Sequence, residues 1–276
     1  MKQKSFLQKL LAAPHMVWTL LFIVAPLLFV AYYAFTDSEG SFTFDNILKA
    51  VEPDYMVIFF RSISLAIIAT FICLIIAYPL AYSISRSKAS SQKIMIMLVM
   101  LPMWMNFLIR TYSWMSILED TGFINSMLSA VGLEPLHMIN TSGAVVLGMV
   151  YNFLPYMILP IYSVMVKIDN RLIEAAHDLG CNNMGVMTKV ILPLSISGVV
   201  SGVTMVFVPS ISTFYISQKL GGGNFDLIGD TIERQFQTAY NYNLGAAISL
   251  ILMVLILISM AVMNKFSDED GGGMVV

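Results

Sequence analysis

Six long apolar segments constrain the fold of this chain more than any other feature of its sequence. Each is close to the ~20 residues that an α-helix needs to cross the hydrocarbon core of a bilayer. They lie at Met16–Phe35, Ser62–Ile84, Ile94–Trp114, Ser142–Val166, Leu194–Ile216 and Leu244–Met263. The chain is 58% hydrophobic and only 12% charged over 276 residues, so little sequence remains for a soluble domain. We predict an all-α membrane protein with six transmembrane helices in one domain, residues 1–266, and a flexible tail, residues 267–276.

The positive charges predict an orientation. If the N-terminus is cytoplasmic, ten of the 15 Lys and Arg residues lie on the cytoplasmic side and five lie at the outer side. This excess is typical of cytoplasmic loops, and it sets the topology of most multi-pass proteins. Six spans return the C-terminus to the starting side. We therefore predict a plasma-membrane protein with both termini in the cytoplasm.

Several kinds of chemistry are missing from the sequence. No Asp or Glu falls within a predicted span, whereas an intramembrane proton relay needs ionisable groups at that depth. No segment matches G-x-x-x-x-G-K-[ST], the loop that cradles nucleotide phosphates. We predict that the chain is not an enzyme and has no catalytic residue, metal site or cofactor of its own. Any energy for active transport would then come from another subunit.

The polar loop between the fourth and fifth spans, residues 167–193, is the most distinctive motif. It reads E-A-A-H-D-L-G from Glu174 to Gly180, and after nine further residues it ends in Val190-Ile191-Leu192-Pro193. Two adjacent alanines present a shallow face that another protein can approach closely. The glycine permits a change of backbone direction that a residue with a Cβ resists. With the orientation above, this loop faces the cytoplasm.

The spacing resembles the EAA-x3-G-x9-I-x-LP loop of binding-protein-dependent ABC importer permeases, with Val190 in place of Ile. The resemblance implies a type I ABC importer permease-like fold in which this loop docks on an ATPase subunit. It assigns ATPase coupling to eight residues of the loop: Arg171, Glu174, Ala175, Ala176, Asp178, Gly180, Leu192 and Pro193.

Further stretches resemble the B-type permease subunit of spermidine/putrescine importers. They include the pattern P-x-W-x-N-x-L-I-R-x-Y from Pro102 to Tyr112, and the pair Phe214-Tyr215. The resemblance implies a role in spermidine/putrescine uptake through a pathway shared with a second, C-type permease. It also implies a cytoplasmic ATPase dimer that holds ATP and Mg, and an extracytoplasmic polyamine-binding protein. The lipid bilayer is the remaining partner, and no nucleic acid is expected.

Aromatic and amide side chains are the candidate lining of that pathway. Aromatic faces attract ammonium groups, and more strongly where water is excluded. An amide oxygen accepts hydrogen bonds from the same cation. The candidates are Trp104, Asn106, Tyr151, Phe214 and Tyr215. The competing interpretation is that these aromatics pack against neighbouring helices or face lipid.

Two other features carry structural predictions. Gly198 and Gly202, four residues apart in the fifth span, predict a close helix contact of the small-xxx-small type. Apolar residues at helical spacing after Gly122 and from Ile228 onward predict two short amphipathic helices at the outer surface.

Three alternative functions remain open on the sequence. The first is an ABC importer permease for an inorganic anion, a metal ion or an amino acid. The second is a secondary carrier, which would need intramembrane ion ligands or inverted repeats. The third is a membrane scaffold or regulator that moves no solute.

Overall fold

The computed structural model describes residues 14–223 and 225–271, and the regular structure in these ranges is α-helical. An isolated bridge joins Thr36 and Phe42. The helices are α1 Pro14–Ala34, α2 Asp45–Ala50, α3 Pro53–Ser85, α4 Ala89–Trp104, α5 Phe107–Leu118, α6 Phe123–Ala130, α7 Ser142–Met165, α8 Asn170–Asp178, α9 Asn183–Ser212, α10 Tyr215–Leu220, α11 Ile228–Gln237 and α12 Tyr242–Gly271.

Five of these helices are long and apolar enough to cross a membrane, namely α1, α3, α7, α9 and α12. Helix α4 together with α5 and α6 makes a sixth if the bent pair counts as one span. The all-α class is therefore confirmed, and the count agrees with the six predicted spans. The fourth span was predicted most accurately, because α7 ends one residue before the predicted Val166.

The third span was predicted wrongly as one continuous helix over Ile94–Trp114. Helix α4 stops at Trp104, α5 starts at Phe107, and the axis turns by 88° between them. The cause is local. The Asn106 side chain accepts a hydrogen bond from the Leu108 N–H at 2.8 Å, which caps a new helix instead of continuing the old one.

In the described part of the chain, two π-helical turns each end one residue short of a proline. One spans Leu20–Val24 in α1, ahead of Pro26, and the other spans Met187–Ile191 in α9, ahead of Pro193. A proline has no N–H to donate to the carbonyl four residues earlier. A local change to i→i+5 bonding keeps the neighbouring carbonyls paired, so both helices continue through the proline.

Helices α7 and α9 pack closely, as the glycine spacing predicted. A Cβ at Gly198 would lie 2.9 Å from the Pro160 carbonyl oxygen, and one at Gly202 would lie 2.8 Å from the Met157 sulfur. Both glycines are buried. The contact therefore depends on the absence of side chains at these two positions.

The two short helices that were predicted are present as α6 and α11. Helix α9 ends at Ser212, four residues before the predicted end of the fifth span, and the short α10 follows after Thr213 and Phe214. The backbone of α12 continues as a helix to Gly271, into the segment predicted as a flexible tail. Residues 1–13 and 272–276 lie outside the described residues.

The chain groups into two compact units. In the first, which includes α1, α2 and residues 242–255 of α12, Asn46 and Asn243 each donate to the Thr36 carbonyl. The second contains residues 57–230 and holds most of the apolar core, with Met157, Ile161 and Val206 fully buried. All of the candidate site residues lie in this second unit.

Candidate functional site

The predicted coupling loop forms a short, well-capped helix, α8. At its start the Asp169 side chain accepts from the Arg171 N–H at 3.0 Å. At its end the Cys181 N–H donates to the Ala176 carbonyl at 3.0 Å, and the Gly180 N–H donates to the His177 carbonyl at 2.8 Å. This pair of bonds is the Schellman motif, which needs a left-handed residue after the helix. Gly180 has φ +84°, so the predicted change of direction occurs at this residue.

The two alanines of the loop face in different directions. Ala175 is exposed, whereas Ala176 is buried with Val186 and Ile191 in the core of the second unit. Ala176 therefore fixes the helix to the core of the second unit, and Ala175 is the alanine that a partner could contact. Leu179, whose side chain is 85% exposed, extends the exposed apolar surface beside Ala175.

Polar residues and the end of the motif complete this surface. Five of the predicted coupling residues besides Ala175 are exposed side chains, namely Arg171, Glu174, Asp178, Leu192 and Pro193. Leu192 and Pro193 begin the second α-helical part of α9, directly after its π turn. The motif therefore lies where the chain turns between α7 and α9. We call this turn, residues 167–193, the elbow. Ala176 is the coupling residue buried in the core.

Arg86, at the end of α3, holds this elbow in place, and the sequence interpretation missed it. Its guanidinium donates to the carbonyls of Met165 and Ile168, both at 3.0 Å, and to the side chain of Asn170. The last carbonyls of a helix lack partners within the helix and carry a partial negative charge. A cation from α3 therefore connects the C-terminal end of α7 to the start of α8.

The second candidate region lies where two helices break. Helix α4 gives way to α5 at Met105 and Asn106, and α9 gives way to α10 at Thr213 and Phe214. Broken helices leave backbone carbonyls without intrahelical partners, and such breaks mark binding sites in membrane transporters.

Three aromatic rings from α5 and α10 meet beyond these breaks. The Tyr215 ring centroid lies 5.7 Å from that of Phe107 and 6.3 Å from that of Tyr112, with the two tyrosine rings at 87°. We call Phe107, Tyr112 and Tyr215 the aromatic corner. The Lys219 ammonium lies 5.6 Å and 5.8 Å from the two tyrosine ring centroids. Lys219 follows Tyr215 by one helical turn, a spacing that could have revealed it.

The other predicted pathway residues are placed separately. The Tyr151 ring packs edge-to-face on Trp114 at 5.3 Å. Trp104 is 70% exposed at the end of α4, and Phe214 is exposed at the break before α10. The Asn106 amide oxygen, which was predicted to accept from the cation, accepts from the Leu108 N–H instead and caps α5. Of the predicted set, only Tyr215 joins the aromatic corner.

Arg110 lies one turn from Phe107 and is only 8% exposed. Its guanidinium carbon is 5.9 Å from the Phe107 ring centroid. Its Nε and Nη1 atoms are buried and have no hydrogen-bond partner in the described part of the chain. The region therefore contains two cationic groups, and each lies against an aromatic ring.

Asp230 is a buried acid at the start of α11. One carboxylate oxygen accepts from the Leu227 N–H at 2.8 Å. Burial raises the pKa of Asp230 to about 6, and the hydrogen bond from Leu227 opposes that rise. The adjacent Ile228 N–H donates to the Ser62 hydroxyl at 2.8 Å, which connects the start of α11 to α3.

The chain is similar to proteins with known roles. The family model described as "Binding-protein-dependent transport system inner membrane component" matches residues 54–268. The spermidine/putrescine transport system permease protein PotB of Haemophilus influenzae is 38% identical over 256 residues, which are 90% of each chain. The PotB protein of Escherichia coli is 32% identical, over 86% of this chain and 90% of that one.

Solved structures agree on the fold. A chain of a bacterial ABC transporter involved in the import of the acidic polysaccharide alginate has a TM-score of 0.76 at 17% identity, covering 96% of both chains. A chain of the MetNI methionine ABC transporter has a TM-score of 0.57 at 16% identity, covering 76% of this chain and 93% of that one. As the loop from Glu174 to Pro193 predicted, this chain belongs to the family of binding-protein-dependent transport system inner membrane components.

Proposed function

We propose that this chain is the membrane-spanning permease subunit of an ABC importer that takes up spermidine and putrescine. The observation that carries the proposal is the 38% identity over 90% of both chains to a spermidine/putrescine permease. In this proposal a second permease completes the pathway, an extracytoplasmic protein delivers the polyamine, and a cytoplasmic ATPase dimer binds ATP and Mg. The N- and C-termini lie in the cytoplasm, as the charge distribution favours.

The elbow at α8 is the proposed site of coupling to the ATPase. Its exposed residues Ala175 and Leu179 provide a small apolar surface, and exposed charged residues surround them. The hydrogen bonds from Arg86 to the end of α7, together with the burial of Ala176, make the elbow rigid relative to α3 and α7. A partner that moved this elbow would therefore move the spans that carry it.

The aromatic corner supports an ammonium substrate. An ammonium on the face of an aromatic ring is stabilised by roughly 0.5–1 kcal/mol at exposed sites and by about 2 kcal/mol where water is excluded. Two tyrosine faces at nearly a right angle, Tyr112 and Tyr215, can contact one ammonium together. An anionic substrate would meet the negative faces of these rings.

Charge also determines what ATP contributes. A triply charged polyamine that enters down a membrane potential of about 100 mV, inside negative, gains about 7 kcal/mol from the field, at ~2.3 kcal/mol per charge. The field therefore already favours entry. ATP hydrolysis would serve to open the pathway and to empty a tight binding protein in one direction.

Uptake by the reconstituted complex tests the proposal. The two permeases, the ATPase and the binding protein are placed in proteoliposomes with ATP inside, and uptake of radiolabelled spermidine and putrescine is measured. We expect ATP-dependent uptake, which neither phosphate, a divalent metal ion nor an amino acid reproduces. Transport of one of those solutes instead, or uptake driven by an ion gradient without ATP, would refute the proposal.

Crosslinking tests the coupling surface. A cysteine at the exposed Ala175 should crosslink to the ATPase subunit, and a cysteine at the buried Ala176 should not. Equal yields at both positions, or no crosslink from Ala175, would contradict the proposed docking surface.

A further inference from the structure

The Lys219 ammonium is the cation that the aromatic corner holds in this structure. It lies 5.6 Å from the Tyr112 ring centroid and 5.8 Å from that of Tyr215. Both distances are within the ~6 Å range of cation–π contacts. Lys219 and Tyr215 are one turn apart on α10, whereas Tyr112 comes from α5. One ammonium thus contacts two rings from two different helices.

The surroundings of this ammonium are aromatic rather than acidic. In the ranges that the structure describes, no carboxylate oxygen lies within ion-pair distance of the Lys219 Nζ. The corner is also open, since Tyr112 is 44% exposed and Lys219 is half-buried. A lysine at an open site without an acid is held weakly, on a four-carbon stem that reaches other positions.

We propose that the aromatic corner is a binding site for a primary ammonium, and that Lys219 occupies it until the terminal ammonium of a polyamine displaces it. The inference rests on the proposed polyamine substrate. A lysine side chain and the end of spermidine carry the same group, an ammonium on a methylene chain. The two cations repel each other, so only one of them occupies the corner at a time.

Self-occupation lowers the affinity of the corner for its substrate. The apparent dissociation constant equals the intrinsic one divided by the fraction of molecules in which the site is free. If Lys219 fills the corner in about nine molecules of ten, its removal strengthens spermidine binding about tenfold. Weak binding suits a transport pathway, because the substrate must leave the site again. Lys219, tethered beside the corner, displaces the polyamine and so speeds its departure.

Equilibrium binding tests this consequence. The complex of permeases and ATPase, without the binding protein, is placed in lipid nanodiscs and titrated with radiolabelled spermidine. We expect Lys219→Met to lower the dissociation constant about tenfold. Lys49→Met is the matched control, because it removes an exposed lysine from another outer segment, and it should leave the constant unchanged. Weaker binding by Lys219→Met, or the same change in the control, would overturn the proposal.

NMR on the wild-type chain keeps the test independent of folding in a variant. Lysines of the complex are reductively methylated with ¹³C-formaldehyde, and the Lys219 signal is identified by its loss in Lys219→Arg. We expect an upfield ring-current shift without substrate and a saturable return downfield with spermidine, which sodium chloride at equal ionic strength does not cause. A Lys219 signal that saturating spermidine leaves unmoved would overturn the proposal.

The two proposals fail in different ways. If the complex imports spermidine while the Lys219 signal stays fixed, only the displacement of Lys219 is wrong. If the complex imports a different solute and no spermidine, the proposed function is wrong.

Discussion

Asp230 should make the stability of this permease depend on pH between about 4 and 6. Its side chain is 6% exposed, and one oxygen accepts from the Leu227 N–H at 2.8 Å. Burial raises the pKa of the folded carboxyl from 3.8 to about 6. The carboxyl is therefore ionised at neutral pH in a place that disfavours its charge.

The sign and size of the effect follow from proton linkage. Between pH 4 and 6 the folded protein binds more protons than the unfolded chain, so stability falls as pH rises. The contribution is present in full below the unfolded pKa and is lost above about pH 6. A difference of about two pKa units corresponds to about 3 kcal/mol. Partial contact of Asp230 with solvent makes this figure an upper bound.

The substitution Asp230→Asn tests this reasoning, because the amide keeps an acceptor for the Leu227 N–H and cannot ionise. We expect the melting temperature of the variant in lipid nanodiscs to exceed that of the wild type by about 5–10 °C at pH 7.5. At pH 3, below the unfolded pKa of 3.8, the two proteins should melt together. Glu134→Gln, at an exposed position, is the control and should have no effect at either pH. The argument would be refuted if the melting temperatures of Asp230→Asn and the wild type differed by the same amount at both pH values, or if the variant were less stable at pH 7.5.

Three other positions carry predictions. Gly198→Val should destabilise the α7–α9 contact by about 1–3 kcal/mol in thermal melts, whereas the exposed neighbour Ser197→Val should be neutral. Gly180→Val should cost roughly 1–2 kcal/mol, because a β-branched residue resists positive φ, and it should reduce ATPase co-purification more than Gly180→Asn does. Arg86→Met should lower thermal stability by about 1.5–3 kcal/mol and weaken ATP-dependent uptake. Lys88→Met, at an exposed position nearby, should change neither; equal losses would contradict the role of Arg86.

The long helices were predictable where the capping residues and the hydropathy of the segment indicate the same ends. Thr141 caps α7 through a hydrogen bond from the Ala144 N–H at 3.1 Å, and the apolar run that follows has no competing cap until its end. Hydropathy alone therefore placed its ends within one residue. In the third span the hydropathy is continuous, but Asn106 caps a new helix within it. A window that averages hydropathy over many residues does not detect one side chain that favours a break.

In the coupling elbow, too, the sequence predicted one feature correctly and missed others. The sequence identified the turn at Gly180, because a glycine after a short helix predicts a left-handed residue. It treated Ala175 and Ala176 as one face, although only Ala175 is exposed. Which alanine is buried depends on the angle between α8 and the core, and that angle follows from contacts of Val186 and Ile191 later in the chain. Arg86 was missed because its partners are backbone carbonyls, which carry no sequence signal.

One contact of the aromatic corner was predictable from the sequence, and the other was not. Tyr215 and Lys219 are four residues apart, so a helix there places both on one face whatever surrounds it. The contribution of Tyr112 depends on the direction of α5, which the 88° turn after α4 sets. A straight third span would carry the residues of α5 along the axis of α4 instead. The capping bond at Asn106 therefore acts well beyond its own turn, because it directs the helix that brings the second tyrosine to the ammonium.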